Sequence, residues 1–462
     1  MRIGNKFLYL LIFFIIAWPS VSYSQEEREA IMQLTLEKCI EIALENNENI
    51  QIADLEIGVS KALAGEYLSA GLPQLDVSAG FNKNFIIRRT FVPANIFDPS
   101  APEGEVIELQ FGTPYDGVIG LNLSQMIFDG SYFVGLKAAR TLTDLSRKEL
   151  VREKIDVIEE VIKAYYTVLV NKVAEELVID NYNRLDTLLR ETQIMYDNGF
   201  AEKIDLNRTQ VEFNNVSTQL TNMERLIEVS IDLLKFQTGL PMDQEVKVTE
   251  RLSDLNLSTE EILALETSYN RRIEYSLLQT NLELQHLDMK NNKVQYLPQI
   301  DLIAGWGMNA GVLDAGQLIE WGNRRVWPDY QVTGLSLYIP IFDGLQKSKR
   351  IQQNKLKIKQ LNLQRLMLEK NITLEVTEKK NNLKSGLEQL ESQKENMNLA
   401  KEVYDHTKIK YQEGIGSNLE VIEADNAFKS AQTNYFNALY DALIAKIELE
   451  KALGIVDSKY NF

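Results

Sequence analysis

The stretch YQEGIGSNLEVIEAD, residues 411–425, ends one helical pattern and begins another. The segment before it, residues 345–413, holds no proline and one glycine, Gly386. Gly414 and Gly416 then interrupt it, as glycine does just past a helix C-terminus. A related stretch, YDNGFAEKIDLNRTQ at 196–210, precedes it at an offset of 215. Both read as the tip of a long helical hairpin.

The tips belong to a wider repeat. Leu72-Pro-Gln-Leu-Asp-Val77 recurs as Leu297-Pro-Gln-Ile-Asp-Leu302, an offset of 225. Ile127-Phe-Asp-Gly130 recurs as Ile341-Phe-Asp-Gly344, an offset of 214. Phe236-Gln-Thr-Gly-Leu240 matches Lys451-Ala-Leu-Gly-Ile455 at 215. Ordered matches of this kind mark a tandem repeat. After an N-terminal segment 1–24, the chain reads as repeat 25–241, linker 242–256, repeat 257–455 and tail 456–462. The first copy has the longer loop, residues 87–114.

Each copy runs helix, strand, loop, strand, very long helix, tip, helix. The first opening helix is expected over 36–70, stopped by Gly71 and Pro73. The second is expected from a capping box at Ser258-Thr-Glu-Glu261 to just before Pro298. Strands are expected where apolar residues alternate: Leu75 to Phe81, Ile119 to Leu123, Ile300 to Trp306 and Leu335 to Ile341. One face of each is apolar and the other small or polar, with Ile303 and Tyr338 as exceptions. A membrane β-barrel and a half-buried soluble sheet share that dyad. Trp306, Trp321, Trp327, Phe91 and Phe97 near the expected strand ends favour a membrane girdle.

The long helices, 130–197 and 344–412, would each reach roughly 100 Å at 1.5 Å per residue. In the second, Val376, Leu383, Leu390, Met397, Tyr404 and Tyr411 recur every seven residues. Their counterparts are Val161, Val168, Glu175, Tyr182, Leu189 and Tyr196. This is coiled-coil spacing. The returning helices are half as long, so two short helices end to end match one long one.

The formal net charge is −17, from 66 acidic and 49 basic residues, which argues against nucleic acid as a partner. Arg2 and Lys6, an apolar run from Phe7 to Trp18, and Ser22 and Ser24 read as a secretory signal peptide cleaved after Ser24. Cys39 is the only cysteine and reads as a small buried apolar residue rather than a lipid anchor. No segment reads as a transmembrane helix. The fold class is therefore mixed α and β, with long antiparallel coiled-coil helices and four strands per chain. Four strands cannot close a barrel, and an open edge in lipid leaves backbone groups unpaired at several kcal/mol each. Other copies must complete it: eight strands in a dimer, twelve in a trimer.

With these residues in place, the chain resembles the TolC family of outer-membrane efflux and secretion channels. The resemblance covers essentially the whole chain after the signal peptide. It rests on the signal peptide, the tandem repeat, the Ile339-Pro-Ile-Phe-Asp-Gly344 join and the two Tyr-x-x-Gly tips. It implies a homotrimer with a twelve-stranded barrel in outer-membrane lipid and an α-helical barrel crossing the periplasm. It also implies a periplasmic adaptor and an inner-membrane transporter of RND, ABC or MFS type as partners, with no cofactor. In that family two carboxylates after the second tip ring the periplasmic mouth; Glu420 and Glu423 match them. At i and i+3 they share a helix face. Tyr411 and Asp205 match two members of the polar network that ties the tips shut, while the arginine partner falls at Gly416. Gly199 and Gly414 match positions that contact the adaptor.

No P-loop, GxSxG, HExxH or paired CxxC is present, and His286 and His406 are isolated on helical stretches. The reading is a passive duct, with no catalytic or metal site. The alternative is an exported coiled-coil scaffold whose strands form a soluble β-domain.

Overall fold

The structure, a computed structural model, describes residues 31–252 and 259–460. The signal-peptide reading and Ser258 of the expected capping box lie outside them. In chain order the elements are β1 (Met32–Leu34), α1 (Leu36–Asn46), α2 (Glu48–Ser69), β2 (Gln74–Lys83), β3 (Arg89–Pro93), β4 (Val106–Gln110), β5 (Tyr115–Phe128), α3 (Gly130–Asp197) and α4 (Lys203–Thr238). Then follow β6 (Val246–Val248), α5 (Glu260–Ala264), α6 (Ile273–Val294), β7 (Gln299–Val312), β8 (Asp329–Tyr338), α7 (Gln346–Gln412), α8 (Asn418–Leu453) and α9 (Val456–Tyr460). The two long helices hold 68 and 67 residues without a break. Two compact units form, each drawing on both repeats. Of the described residues, the tip unit takes 31–47, 160–252 and Gln389–Leu443. The sheet unit takes Glu48–Glu159, 259–388 and 444–460.

In the sheet unit, β2, β5, β7 and β8 form one antiparallel sheet in that order. Register places Leu75, Val77, Ala79 and Phe81 on one face with Leu123, Leu121, Ile119, Trp306, Leu335 and Leu337. That face is open: Val77 and Leu335 are each 71% exposed. The opposite face carries a polar ladder. Asn122 donates to Asp76 (3.0 Å) and Ser78 (3.2 Å), and Asn82 donates to Asp116 (2.7 Å). Gly307 is required there, because a Cβ would lie 2.7 Å from the Tyr330 hydroxyl and from the Ile119 carbonyl. Within the chain, β2 and β8 are the edges of this sheet.

Several expectations need correction. The opening helix breaks at Asn47, whose backbone is extended, so α1 and α2 are separate. Its counterpart is only the five-residue α5, with α6 starting at Ile273. These breaks have a shared purpose. Asn47 Nδ2 donates to the Gln237 carbonyl (2.9 Å), capping the end of α4. Arg272 is the counterpart of Asn47 at the repeat offset of 225. It donates through Nη1 to the Ala452 carbonyl (2.8 Å) at the end of α8. Ala452 in turn is the counterpart of Gln237 at the offset of 215. Unpaired carbonyls at helix ends need such donors. Gly239 and Gly454 end the same two helices at φ 71° and 66°, and each lets the break residue approach: a Cβ would meet the Asn46 carbonyl at 2.6 Å or the Arg271 carbonyl at 2.7 Å.

The last strand also differs. β8 spans Asp329–Tyr338, leaving Ile339 and Ile341 outside it. Trp306 lies mid-strand opposite Leu121 and Gln331, not at an end. Trp327 is buried rather than lipid-facing; it stacks on Trp321 at 5.5 Å and meets Phe81 edge-on at 6.2 Å. Two short pairs were not expected: the β3–β4 hairpin in the long loop, and β1 parallel to β6 inside the linker.

The α7 heptad is inward-facing throughout, from fully buried Leu383 to Tyr411. On α3 the seam moves. Val161 and Val168 are buried, but Tyr196 is exposed, and Val178, Leu185 and Thr192 take over the inner face. The α3 seam thus takes a ten-residue step between Val168 and Val178, three more than the heptad, and then resumes its seven-residue spacing.

Candidate functional site

The tip unit contains two nearly identical turns. Gly199 (φ 78°) and Gly414 (φ 75°) sit where a side chain would be strained, with open space around each. After them, Phe200 N–H donates to the Met195 carbonyl (2.8 Å) and Ile415 N–H to the Lys410 carbonyl (3.0 Å). These contacts recur at the repeat offset of 215. Each turn holds up an exposed apolar trio: Ile194, Phe200 and Ile204 on the first, Ile409, Ile415 and Leu419 on the second. The two trios correspond position by position at the same offset. The glycines were legible in the sequence; the trios were not singled out, although apolar residues five before and one after each glycine were a usable signal.

Gly416 has a local cause. A Cβ there would lie 3.1 Å from the Tyr411 nitrogen and 3.2 Å from Lys410. The turn is folded tightly onto the end of α7, and an arginine would have to push it open.

Helix α8 divides its residues between two faces. Ser417 caps it, its Oγ accepting from the Glu420 N–H at 3.2 Å, with Glu420 in the capping-box position. Glu420 and Glu423 are exposed and make no ion pair among the described residues. Asn418, Val421, Ile422, Asp425 and Phe428 face inward and are buried. Tyr411 is buried with them, packed in a cluster that includes Leu188, Val216 and Val421. Its hydroxyl contacts Met195 Sδ at 3.5 Å. Asp205 accepts from Arg208 at 3.3 Å on its own helix. Within one chain, then, Tyr411 and Asp205 are not joined to each other.

Two other polar contacts do join the hairpins. Asn418 Nδ2 donates to Thr209 Oγ1 (3.2 Å) and approaches Thr192 Oγ1 (3.5 Å). All three residues are buried. One heptad further on, Arg184 Nε of α3 donates to Asp425 Oδ1 of α8 at 3.0 Å. The guanidinium lies 5.6 Å from the Tyr404 ring and 5.5 Å from the Phe428 ring. Burial holds the Asp425 carboxyl above the usual range, with Arg184 pulling the other way. Burial, then Asp425, pushes the Tyr404 phenol up to about 12, so it stays neutral. The sequence offered little to find these groups. Arg184 and Asp425 lie far apart along the chain, one on each hairpin, and buried charges look the same as solvated ones in a sequence.

The contacts around β1 and β6 are structural. Cys39 is buried, and desolvation pushes its thiol up to about 12, which leaves it inert. Tyr165 donates to Glu250 (2.8 Å) and Lys172 to the Val248 carbonyl (2.8 Å). In the sheet unit Lys459 of α9 meets buried Glu450 at 2.6 Å, anchoring the C-terminal turn. Among the described residues no group of three or more His, Cys, Asp or Glu could hold a metal ion. No described helix is long and apolar enough to cross a membrane.

Residues 39–231 and 278–455 match the sequence profile of the outer membrane efflux protein family. The outer membrane protein TolC of Vibrio cholerae is 19% identical over 392 residues, covering 85% of this chain and 84% of that protein. The probable efflux pump outer membrane protein TtgC of Pseudomonas putida is 22% identical over 438 residues, covering 91% and 82%. Among solved structures, the Campylobacter jejuni CmeC outer membrane channel aligns with a TM-score of 0.71 at 20% identity, over 91% of this chain and 85% of that one.

Proposed function

The chain belongs to the outer membrane efflux protein family, and from that premise we propose that it is the passive exit duct of a tripartite efflux or type I secretion system. It resides in the outer membrane with a helical tube in the periplasm. The observation that carries this reading is the sheet. It has one exposed apolar face, one polar face and two open edges. Lipid satisfies the first and water the second. Only further copies of the chain satisfy the third, because unpaired edges are costly in lipid. Three copies would give a twelve-stranded barrel. The duct performs no chemistry; an inner-membrane transporter supplies the energy and a periplasmic adaptor bridges the two.

In this reading the tips form the periplasmic mouth. Glu420 and Glu423, exposed on the face of α8 opposite its buried one, ring the opening, six carboxylates in three chains. Such crowding attracts cations. The tip glycines, with their apolar trios, meet the adaptor. Tyr411 and Asp205 take part in closure across chains. Where Gly416 supplies no arginine, Asn418 and the Arg184–Asp425 pair hold the second hairpin against the first.

The test is direct. Detergent-extracted membrane fractions should yield a trimer, and cells lacking the protein should retain a drug or a secreted cargo. A soluble monomer after signal cleavage would overturn the proposal.

A further inference from the structure

We infer the register of the seam between neighbouring chains: β8 of one chain pairs antiparallel with β2 of the next so that paired residue numbers add to 416. The inference rests on the oligomeric reading above and extends it to named residues.

The reasoning uses the internal repeat as a ruler. Paired numbers add to 198 between β2 and β5, as in Gln74 with Ser124. They add to 427 between β5 and β7 up to Met126, as in Leu121 with Trp306. They add to 637 between β7 and β8, as in Leu302 with Leu335. The repeat shifts β2 onto β7 by 225 and β5 onto β8 by 214. Adding both shifts to 198 gives 637, the register observed for β7 and β8. The repeat therefore transfers register without slippage.

The β5–β7 pairing joins the first repeat to the second within the chain. Its counterpart joins the second repeat to the first repeat of the next chain. Adding 214 to the β5 member and subtracting 225 from the β7 member turns 427 into 416. Leu337 then meets Ala79 of the partner subunit, as Leu123 meets Ala304 within the chain. The face is preserved. Gln74 pairs Ser124, which pairs Ile303, which pairs Gly334, which would pair Asn82 of the partner subunit, eight residues on from Gln74. Eight is even, so apolar residues stay on the apolar face all the way round.

The same mapping accounts for surfaces left bare in the single chain. Gly130 is covered: a Cβ there would lie 3.0 Å from Val294 Cβ and 3.3 Å from Leu297 Cδ1. Its counterpart Gly344 has nothing within 4 Å. The missing cover maps to Ser69 and Leu72 of the partner subunit, and Leu72 is exposed in the chain. Ile341 is 94% exposed where its counterpart Ile127 is 54%, and Phe342 is 79% exposed where Phe128 is half-buried. Strand β5 runs to Phe128, which corresponds to Phe342, but β8 stops at Tyr338. Residues 339–342 thus become strand when residues 75–77 of the next chain lie beside them, with Phe342 opposite Leu75 of the partner subunit as Phe128 is opposite Ile300. Pro340, which has no N–H to give, is the counterpart of Met126, where the irregularity of β5 begins, a place where a ladder tolerates proline.

Cysteine pairing in native outer membranes tests the register, using full-length chains with buried Cys39 left in place. Leu337→Cys is combined in turn with cysteine at 77, 78, 79, 80 and 81 and oxidised. Leu123→Cys with Ala304→Cys, the same geometry inside one chain, calibrates the yield. Interchain bands should peak with Ala79→Cys, roughly fivefold or more above 78 and 80, whose side chains leave by the other face. A peak at any other position, or a lysine-crosslinked trimer with no disulfide at any of the five, overturns the register and leaves the oligomer standing. A monomer by both chemistries overturns the oligomeric reading itself.

Discussion

Replacing Arg184 with methionine removes a charge from inside the tip unit while keeping most of the apolar stem. The native group makes one charge-assisted hydrogen bond to Asp425 and lies 5.6 and 5.5 Å from the Tyr404 and Phe428 rings, which are stacked on each other at 6.2 Å. Such a bond contributes about 1.5–3 kcal/mol, and a partly desolvated ring contact about 0.5–2 kcal/mol. The larger effect is on what remains. Asp425 has a side chain only 5% exposed, and breaking one partner of a buried pair costs about 3–5 kcal/mol. Arg184 is 20% exposed, so solvent tempers the loss, and the lower end, about 3 kcal/mol, applies. Arg184→Met with Asp425→Leu removes both charges and should fall within about 1 kcal/mol of the parent. The coupling in the cycle is then at least about 2 kcal/mol, and larger by whatever Asp425→Leu alone costs in leaving Arg184 without its partner. Unfolding of a membrane oligomer is often irreversible, so the rate is the usable quantity. The single variant should unfold on the order of 10–100 times faster in detergent, and the double variant should recover most of that. Equal rates for single and double variants, or no change in the single, would refute the claim that this pair fastens the hairpins.

Four further outcomes follow from the same geometry. Between the ordinary carboxylate value of 3.8 and its raised value in the fold, Asp425 binds a proton the unfolded chain does not. Its contribution is therefore complete below 3.8 and is lost as pH rises through the folded value, so Asp425→Leu should flatten that part of the stability–pH curve. Gly454→Ala places a Cβ 2.7 Å from the Arg271 carbonyl at φ 66° and should destabilise by about 1–3 kcal/mol, whereas Gly414→Ala, in open space, should cost only about 1 kcal/mol in melting experiments. Phe200→Ser with Ile415→Ser should leave folding and conductance intact while reducing export in cells; unchanged export would remove the tip trios from the adaptor surface. Glu420→Ala with Glu423→Ala should weaken cation selectivity and divalent block in planar bilayers, and unaltered selectivity would end the carboxylate-ring assignment.

The sequence carried the long helices because nothing interrupts them between Gly130 and Asp197 or between Gly344 and Gln412. It carried the strands because apolar residues alternate with small or polar ones along them, and the sheet sorts the two sets onto opposite faces. What it concealed was set by contacts distant along the chain. The breaks at Asn47 and Arg272 exist because helix ends 190 and 180 residues away need donors. Strand β8 ends at Tyr338, short of the alternation that runs on to Ile341, and within the chain it is an edge of its sheet. The glycines Gly199 and Gly414 stand at the two turns that the repeat marked, while Glu420 and Glu423, expected from the family resemblance, have no acidic pair at the repeat positions Asp205 and Arg208. The buried pair Arg184–Asp425 and the Asn418–Thr209 bond had no local signature, since burial, not residue type, gives them their roles.

Single-channel recording from the purified oligomer in planar lipid bilayers tests the central claim most directly. A twelve-stranded, water-filled duct with six carboxylates at its mouth should give discrete, cation-selective conductance steps from the trimer fraction and none from dissociated chains. A folded, membrane-extracted trimer that never conducts, in the wild type or in Arg184→Met, would contradict it.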